Sequence, residues 1–387
     1  MHLVYLSNAF VPSREANSIQ IMKMCQAFAR IIDGVQLFCR KTDQAVDNVY
    51  RYYGVEENFD IERVHVPAVR FIRRMLYARA IVHRLRAIRK PYVLFGRDYY
   101  VMGLIAMQRR IRVPMSLEIH QPPVDRVQHF LQKQIFRHPD FRQLVVISQA
   151  LADEYLRIYG GLLAGKITVA HDGADTGQIP AAMLESPDFG QRSDRFRLGY
   201  IGSLYPGKGM DMIARLARLV PDCEFHVVGG KDPEVQLWKE KCPENNLIFH
   251  GFVEPERVYE YMAAFDVMLA PYQPSVKVGS SQVDIARWMS PLKLFEYMAG
   301  ARPIICSDLP VLQEVMTDGH NGLLASATDP QSWVAQIRRL QADEALRRRL
   351  GMEAQAGFFG HYTWEKRAEH ILSALLQQPV PAQANVL

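Results

Sequence analysis

Short apolar runs alternate with longer helix-forming stretches along the whole chain. Runs such as residues 145–147 and 268–270 are continuously apolar and do not alternate with polar residues. Continuous runs are typical of parallel-sheet strands that helices cover on both faces. The pattern predicts an α/β protein with candidate strands at residues 2–6, 35–38, 92–95, 115–119, 143–147, 167–171, 197–202, 224–229, 246–250, 266–270 and 303–306.

The length of the chain calls for more than one hydrophobic core. At 387 residues it exceeds one ordinary core and fits two domains. The stretch between His171 and Arg197 is rich in Gly, Pro and Asp, which is typical of a linker. We therefore expect two doubly wound parallel-sheet (Rossmann-like) domains facing each other across a cleft, with a boundary near residue 180. Ligands of such sheets bind beyond the carboxyl ends of the strands, so the chemistry is expected there.

The composition is that of an ordinary globular protein, with 49% hydrophobic and 22% charged residues. The five cysteines include no Cys-x-x-Cys pair, so neither a disulfide framework nor a zinc site is predicted. No segment approaches the roughly 20 apolar residues of a membrane span. Residues 1–10 are predicted to form a strand and not a signal peptide. These features favour a protein of the cytoplasm.

Residues 288–300 form the most informative segment for function. Ser290 is a candidate N-cap, and Pro291 suits the first position of the helix that follows. The amides of Leu292 and Lys293 then lie at a positive helix end, which suits a phosphate. Glu296 follows about one turn later, within reach of a hydroxyl-bearing group. The segment fits a nucleoside diphosphate and its ribose, although capped helices with surface glutamates occur in any α/β protein.

A glycine-rich loop at residues 202–209 joins a predicted strand to a helix beginning near Met210. Gly202 and Gly207 allow the backbone to approach a ligand closely. Lys208 supplies a compact positive charge for a phosphate. Taken alone, the loop is as consistent with an ordinary tight turn as with a binding site.

Residues 290–303 (SPLKLFEYMAGARP) resemble the donor-binding signature of the retaining glycosyltransferases of family 4, which have the two-domain GT-B fold. Residues 198–211, 249–253 and 264–272 resemble other parts of that family's second domain. Residues 118–120, 146–151 and 167–173 resemble the end of its first domain. With gaps, the likeness extends from residue 1 to about residue 375.

The resemblance implies a retaining hexosyltransferase that uses a nucleoside-diphosphate sugar in cell-surface polysaccharide or glycoconjugate biosynthesis. The acceptor is a saccharide, a lipid-linked saccharide or a small molecule. Residues 1–180 are then the acceptor-side domain and residues 181–360 the donor-binding domain. Residues 361–387 form a helix that returns to the first domain and ends in a frayed tail.

The resemblance also implies roles for individual residues. Lys208 contacts the donor diphosphate, Glu296 binds the ribose and His120 contacts the donor sugar, so these are the expected catalytic residues. Backbone groups near Phe252 and Val253 lie against the nucleobase. The further donor-binding positions are Gly202, Ser203, Gly207, Gly230, Ser290, Pro291, Leu292 and Lys293.

The chain departs from the family pattern at three places. Ser203 stands where the family has an arginine, and Lys293 either replaces that cation or faces solvent. Trp288 stands where the first of two paired glutamates is usual, and a tryptophan accepts no hydrogen bonds from sugar hydroxyls. Ala16-Asn17-Ser18 replaces two adjacent glycines of an acceptor-side loop, where Asn17 tolerates a positive φ and Ser18 can cap the helix.

His120 ends the apolar strand 115–119, where a polar side chain serves either function or the capping of a loop. We expect Glu118 to point to the opposite face of that strand. No Asp-x-Asp occurs in the sequence, so no metal and no other cofactor is expected.

Residues 70–90 carry eight Arg or Lys residues and no acidic residue, with apolar residues recurring at helical spacing. This segment fits an anionic membrane surface, which would make the protein peripheral on the inner face of the membrane. It equally fits an ordinary surface helix with one buried stripe. Nucleic acid is not expected as a partner, because regular aromatic interleaving is absent.

Two alternatives to a transferase remain open. A GT-B nucleotide-sugar epimerase would share the fold. A non-catalytic nucleotide-sugar-binding partner of a synthase complex would bind the donor without turning it over, and Trp288 and Ser203 keep this alternative open.

Overall fold

The computed structural model describes residues 1–13, 15–42, 44–65, 73–108, 111–176, 195–254, 257–276 and 284–376. The chain divides into two compact units. Unit 1 comprises Met1–His171 together with the chain from Trp364 onward, and unit 2 comprises Asp172–Thr363. The boundary predicted near residue 180 and the predicted frayed tail lie outside the described residues.

The described part of unit 1 forms a parallel sheet in the order β3-β2-β1-β4-β5-β6-β7. Its strands are β1 His2–Val11, β2 Gly34–Lys41, β3 Asp60–Val64, β4 Tyr92–Gly96, β5 Met115–Ile119, β6 Phe141–Val146 and β7 Ile167–Val169. Its helices are α1 Ala16–Ala29, α2 Val49–Tyr53, α3 Arg73–Ala87, α4 Tyr99–Gln108, α5 Arg126–Phe136, α6 Gln149–Tyr159 and, after unit 2, α14 Trp364–Leu376.

The described part of unit 2 forms a second parallel sheet, in the order β10-β9-β8-β11-β12-β13. Its strands are β8 Phe196–Ile201, β9 Cys223–Val228, β10 Leu247–Gly251, β11 Val267–Ala270, β12 Ile304–Ser307 and β13 Leu323–Ala325. Its helices are α7 Met210–Leu219, α8 Asp232–Lys241, α9 Val258–Ala263, α10 Leu292–Ala299, α11 Pro310–Gln313, α12 Pro330–Ala342 and α13 Glu344–His361.

The strand order of both sheets reverses beside the first strand of the unit. In unit 1 the chain moves outward from β1 to β3 and then returns to place β4 on the other side of β1. In unit 2 it moves from β8 to β10 and returns to place β11 beside β8. Such a reversal leaves a crevice at the carboxyl ends of the two central strands. The predicted class of two doubly wound parallel-sheet domains is thereby confirmed.

Each predicted strand overlaps an observed strand, and residues 115–119 match β5 at both ends. The prediction missed β3 and β13. β3, with the sequence DIERV, is an edge strand whose charged residues hide the apolar pattern. β13 has only three residues, which is too short for a recognisable run.

The start of α1 corrects the predicted loop at residues 16–18. Ala16, Asn17 and Ser18 form the first turn of α1, and Glu15 occupies the N-cap position. Among the described residues only Ala301 combines a side chain with positive φ, so Asn17 does not use the positive φ that asparagine tolerates. Ser18 is not the cap; its hydroxyl lies 2.8 Å from the carbonyl oxygen of Glu15.

α3 forms residues 73–87 of the predicted basic segment, whose residues 70–72 lie outside the described ranges. It buries Tyr77, Ala78, Ile81, Val82 and Leu85, which gives the helix a single apolar stripe. Met75, another apolar residue of this helix, is instead 54% exposed. None of the helices in the described ranges is long and apolar enough to cross a membrane.

The C-terminal helix α14 belongs to unit 1 and packs against α1. Arg367 of α14 is buried and forms an ion pair with the buried carboxylate of Glu118 at 3.1 Å. Its Nε donates a hydrogen bond to the carbonyl oxygen of His171 at 2.9 Å. Gln143 of β6 donates to the carbonyl oxygen of Ile371 at 3.1 Å. Polar contacts therefore fix the helix to the end of the sheet.

We predict that Arg367→Met lowers the free energy of unfolding by about 3–5 kcal/mol, the range for removing one partner of a buried ion pair. The neighbouring exposed pair Lys366–Glu369, at 2.8 Å, offers the matched control. Lys366→Met should cost at most about 1 kcal/mol. Urea titration followed by circular dichroism measures both variants, and equal losses would contradict a special role for Arg367.

Candidate functional site

Four strand ends of unit 2 meet at one edge of the sheet, because all four strands are parallel neighbours. These are the carboxyl ends of β10, β9, β8 and β11. The segments that follow them, residues 252–253, 229–230, 202–209 and 271–276, therefore lie along this edge. Most of the predicted donor-binding residues belong to these segments or to α10.

The glycine loop fits closely against the segment after β11. A Cβ atom on Gly207, whose φ is +84°, would lie 2.1 Å from the carbonyl oxygen of Ser275. A Cβ atom on Gly209 would lie 2.3 Å from the carbonyl oxygen of Pro271. The amide of Gln273 donates to the carbonyl oxygen of Gly207 at 3.0 Å. These glycines are needed because two backbone segments touch there.

Tyr297 fixes α10 to the end of β8. Its hydroxyl accepts a hydrogen bond from the amide of Ile201 at 2.7 Å and donates to the carbonyl oxygen of the same residue at 2.9 Å. The side chain is fully buried. Since Ile201 precedes the glycine loop directly, this contact holds the start of the loop beside α10.

The start of α10 differs from the prediction. The helix begins at Leu292 with Pro291 at the N-cap position, and no side chain caps it. The hydroxyl of Ser290 instead accepts a hydrogen bond from the amide of Asp172 at 2.8 Å. Ser290 therefore binds backbone elsewhere in unit 2, and the predicted N-cap is wrong. The amides of Leu292 and Lys293 still lie in the first turn of the helix.

Two lysines lie on the same tyrosine ring. The ammonium nitrogen of Lys208 lies 5.1 Å from the centre of the Tyr272 ring, and that of Lys293 lies 5.0 Å from it. Lys293 also lies 3.9 Å from the centre of the Tyr200 ring. A Cβ atom on Gly202 would approach the Lys293 nitrogen to 3.1 Å. The glycine loop and α10 thus bring two cations to one place.

Both ammonium groups lose contact with water, Lys293 completely and Lys208 in part. Desolvation lowers the pKa of Lys208 to about 8. The pKa of Lys293 is lowered well below its usual value, first by burial and then by the charge of Lys208. Within the described residues the Lys293 nitrogen is shielded from solvent and has no hydrogen-bond acceptor. The structure therefore places Lys293 in the site and not in solvent.

Glu296 lies one turn after Lys293, and burial together with the charge of Asp175 raises its pKa. Burial, followed by the charges of Glu296 and Asp175, raises the pKa of Tyr259 above its usual range. Asp175 and Tyr259 were missed, since both are separated from the signature by long stretches of sequence. The lysines and the carboxylates form adjacent positive and negative parts of the site.

The other donor-side positions have structural contacts of their own. A Cβ atom on Gly230 would lie 2.5 Å from the Leu204 side chain, so this glycine lets β9 end against the glycine loop. Phe252 is 61% exposed, whereas Val253 packs on the core beside α10. The carbonyl oxygen of Ser203 accepts a hydrogen bond from the Tyr200 hydroxyl at 2.7 Å.

Trp288 stands before α10 and is partly buried. The guanidinium of Arg287 lies 5.7 Å from the centre of its ring. An aromatic ring with a neighbouring cation therefore occupies the position where the resemblance implies a carboxylate.

In unit 1, His120 follows β5 and its side chain is 23% exposed. The Nε2 atom of His120 lies 2.6 Å from Oε1 of Glu118. The prediction that Glu118 points away from His120 is wrong, because residues two apart in a strand lie on the same face. Glu118 is a direct neighbour of His120, which the sequence pattern, counted correctly, would have indicated.

We predict that Lys208→Met stabilises the ligand-free protein by roughly 1–3 kcal/mol at pH 7, because it removes a desolvated charge. The folded-state pKa of about 8 lies below the usual 10.5, so the cost is fully present below pH 8. It disappears as the pH rises from 8 to 10.5, and the gain of the variant over the wild type should shrink over that interval.

Urea titration of both proteins between neutral and alkaline pH measures this gain. Lys239→Met on α8 is the matched control, because Lys239 is exposed. Its effect should stay within about 0.5 kcal/mol. A destabilised Lys208→Met protein, or a gain that does not depend on pH, would contradict the prediction.

Comparison with known proteins relates unit 2 to one family. A family model described as Glycosyl transferases group 1 matches residues 195–343. The D-inositol 3-phosphate glycosyltransferase of Streptomyces bingchenggensis is 25% identical over 246 residues, which are 58% of this chain and 50% of that protein. The chain spans about half the length of the curated relatives it matches.

Solved structures extend the similarity to the whole fold. HepE of Anabaena, crystallised in complex with UDP, superposes with a TM-score of 0.75 at 15% identity, covering 98% of this chain and 100% of that one. Sucrose-phosphate synthase of Thermosynechococcus elongatus superposes with a TM-score of 0.71 at 19% identity, covering 97% and 98%. The predicted resemblance is confirmed: the chain is related through residues 195–343 to the group 1 glycosyl transferases, and it has the α/β fold of the GT-B glycosyltransferases.

Proposed function

We propose that this chain is a retaining, metal-independent glycosyltransferase that moves a sugar from a nucleoside diphosphate to a saccharide or lipid-linked acceptor. Its pathway would be the synthesis of cell-surface polysaccharide or glycoconjugate. The relationship of unit 2 to group 1 glycosyl transferases supports this proposal. HepE, which shares the fold, has been crystallised with UDP and with UDP-glucose.

The observation that carries the proposal is the pair of shielded lysines beside the glycine loop. Lys293 has a buried nitrogen without an acceptor among the described residues, and the Lys208 nitrogen lies at a similar distance from the centre of the same Tyr272 ring. A shielded cation without an acceptor, beside a second and partly desolvated cation, is unfavourable unless an anion binds near both. A diphosphate has the charge and the oxygen atoms to bind both.

Glu296 completes the donor site in this proposal. Its carboxylate lies one helical turn from Lys293, which is close enough for a ribose attached to the diphosphate. A carboxylate accepts hydrogen bonds from two neighbouring hydroxyls. Deprotonation of Glu296 is opposed by burial and by Asp175 and favoured by Lys293. Donor binding would therefore favour its charged form through hydrogen bonds to the ribose.

The same cations would assist departure of the nucleoside diphosphate. In the step we propose, the bond between the anomeric carbon and the phosphate oxygen breaks, giving a short-lived oxocarbenium-like state. The acceptor oxygen bonds to the same face of that carbon, and its proton goes to the departing phosphate oxygen. Lys208, Lys293 and the first amides of α10 would stabilise the charge on the leaving group without a metal. His120 is assigned the contact with the donor sugar that the resemblance implies.

The first experiment is a thermal-shift and hydrolysis panel with UDP-, GDP-, ADP- and dTDP-sugars, with and without EDTA. A ligand at a hundredfold its Kd adds about 2.7 kcal/mol of stability, which is visible as a rise in Tm. We expect one nucleotide to stand out, with slow release of its diphosphate that EDTA does not abolish. A shift without turnover in the presence of acceptors would favour a binding partner, and no shift would contradict the donor site.

We predict that Lys208→Met and Lys293→Met each weaken binding of that donor roughly tenfold to a hundredfold, the effect of losing one charged hydrogen bond. Glu296→Ala should likewise impair donor binding and turnover. Lys208→Met is decisive, because it is expected to melt higher than the wild type while its donor-induced shift decreases. Lys239→Met should leave the shift unchanged. Full turnover by both Lys208→Met and Glu296→Ala would show the assignment to be wrong.

We further propose that α3, α4 and α5 bind an anionic membrane surface, as a lipid-linked acceptor would require. α4 packs against both α3 and α5, and none of the three contains an acidic residue. Apolar side chains and arginines are exposed together on these helices. The exposed apolar residues are Met75, Met107, Val127 and Phe130, and the exposed arginines are Arg74, Arg79, Arg86 and Arg126. Basic residues attract anionic lipid while apolar side chains enter the interface.

We predict that the protein sediments with vesicles rich in phosphatidylglycerol and not with pure phosphatidylcholine. Arg79→Glu/Arg86→Glu should weaken this binding at least thirtyfold, since each basic residue contributes about 1 kcal/mol near such a surface. Lys239→Glu/Arg339→Glu on unit 2 changes the net charge equally and is the control. Equal losses in the two double variants would show a general charge effect and contradict the surface.

A further inference from the structure

A buried carboxylate lies behind His120 in unit 1. Glu118 and His120 lie on the same face of the chain at the end of β5, and Nε2 of His120 is 2.6 Å from Oε1 of Glu118. The Glu118 side chain is fully buried, whereas the His120 side chain is 23% exposed. The histidine ring therefore lies between the buried carboxylate and the surface of the unit.

Two arginines and the neutral amide of Gln20 hold Glu118 in its charged form. Arg367 donates to its carboxylate at 3.1 Å, Arg97 lies 3.9 Å away, and the Gln20 amide donates at 3.1 Å. These cations and the His120 contact hold the pKa of Glu118 far below its usual range, although burial alone would raise it. An ionised carboxylate can only accept hydrogen bonds. The hydrogen in the contact with His120 must therefore be on Nε2.

Arg367 is itself held from two sides. Its Nε donates to the carbonyl oxygen of His171, while its terminal nitrogens face Glu118. Its side chain is only 1% exposed, so its position is fixed by the packing of α14 on unit 1. The series of contacts from His120 through Glu118 to Arg367 thus ends in the packed helix α14.

We propose that Glu118 and Arg367 are positioning residues for His120: the carboxylate fixes the ring with hydrogen on Nε2, and Arg367 fixes the carboxylate. This inference rests on the role proposed for His120 in sugar transfer. A neutral ring fixed in this way has its hydrogen on Nε2 and its lone pair on Nδ1. A ring that exchanges between two tautomers would have its lone pair on Nδ1 only part of the time.

The test is nitrogen NMR of the full chain labelled with ¹⁵N-histidine. The shifts of Nδ1 and Nε2 report the tautomer of a neutral ring, and His120→Gln identifies the His120 signals by their loss. We expect a single tautomer with hydrogen on Nε2 in the wild type. In Glu118→Gln the amide can donate or accept, so we expect a mixture of the two tautomers. Hydrogen on Nδ1 in the wild type, or an unchanged tautomer in Glu118→Gln, would overturn the proposal.

Glu118→Gln leaves Arg367 buried without its counter-charge and can fail to fold. The double variant Glu118→Gln/Arg367→Gln removes both charges together and gives the same comparison. Loss of the single tautomer in this variant supports the proposal, and its retention overturns it.

Turnover separates the positioning role from a structural one. In whichever of these variants folds, we expect turnover to fall about a hundredfold, the effect of a misplaced reacting group, while donor affinity stays within about twofold. Equal losses in donor affinity and turnover would indicate a structural role and overturn the proposal. Full turnover by His120→Gln would instead overturn the role of His120 itself, whereas the tautomer measurement tests Glu118 without any activity.

Discussion

The contact between Tyr297 and Ile201 determines the geometry of the proposed donor site. One phenolic hydroxyl satisfies both the amide and the carbonyl of the last residue of β8, within a fully buried environment. Because β8 and β11 are neighbours in the sheet, the loop after β8 and the helix that follows β11 must share one edge. The tyrosine then fixes how close they come. The approach of Lys293 to Gly202 follows from that distance.

This arrangement explains why the site is costly to the folded protein. Desolvation lowers the pKa of Lys208 to about 8, and burial with the charge of Lys208 lowers the pKa of Lys293 well below its usual value, so the site is electrostatically unfavourable. The rings of Tyr200 and Tyr272 offset part of that cost through cation–π contacts. A hydrophobic replacement would fold more stably. The presence of two cations at this place is therefore better explained by a ligand than by folding.

The sequence was sufficient for the fold and for the helix that carries the proposed donor site, because both depend on local patterns. Continuous apolar runs identified the strands, and residues 290–303 identified α10. The polar edge strand β3 was not predicted, since its burial depends on neighbouring elements and not on its own composition. The contact of Ser290 was also not predicted, because its hydroxyl accepts from the distant amide of Asp172 and not from an amide in the first turn of α10.

The orientation of Lys293 could not be decided from sequence, since a residue near the start of a helix can face either solvent or the sheet. The structure decides it through the Gly202 contact.

Arg367 shows most clearly what sequence patterns omit. It lies 249 positions from Glu118 in the chain, and the two meet only because α14 returns to unit 1. A buried ion pair of this kind is rarely the most stable solution, since well-packed apolar residues often do as well or better. The effect of this ion pair is to fix a position. Two arginines hold the Glu118 carboxylate in one place, where it accepts the hydrogen of the His120 ring. Helix α14 therefore does more for unit 1 than cover the sheet. Its Arg367 fixes Glu118, and Glu118 orients the His120 ring at the end of β5.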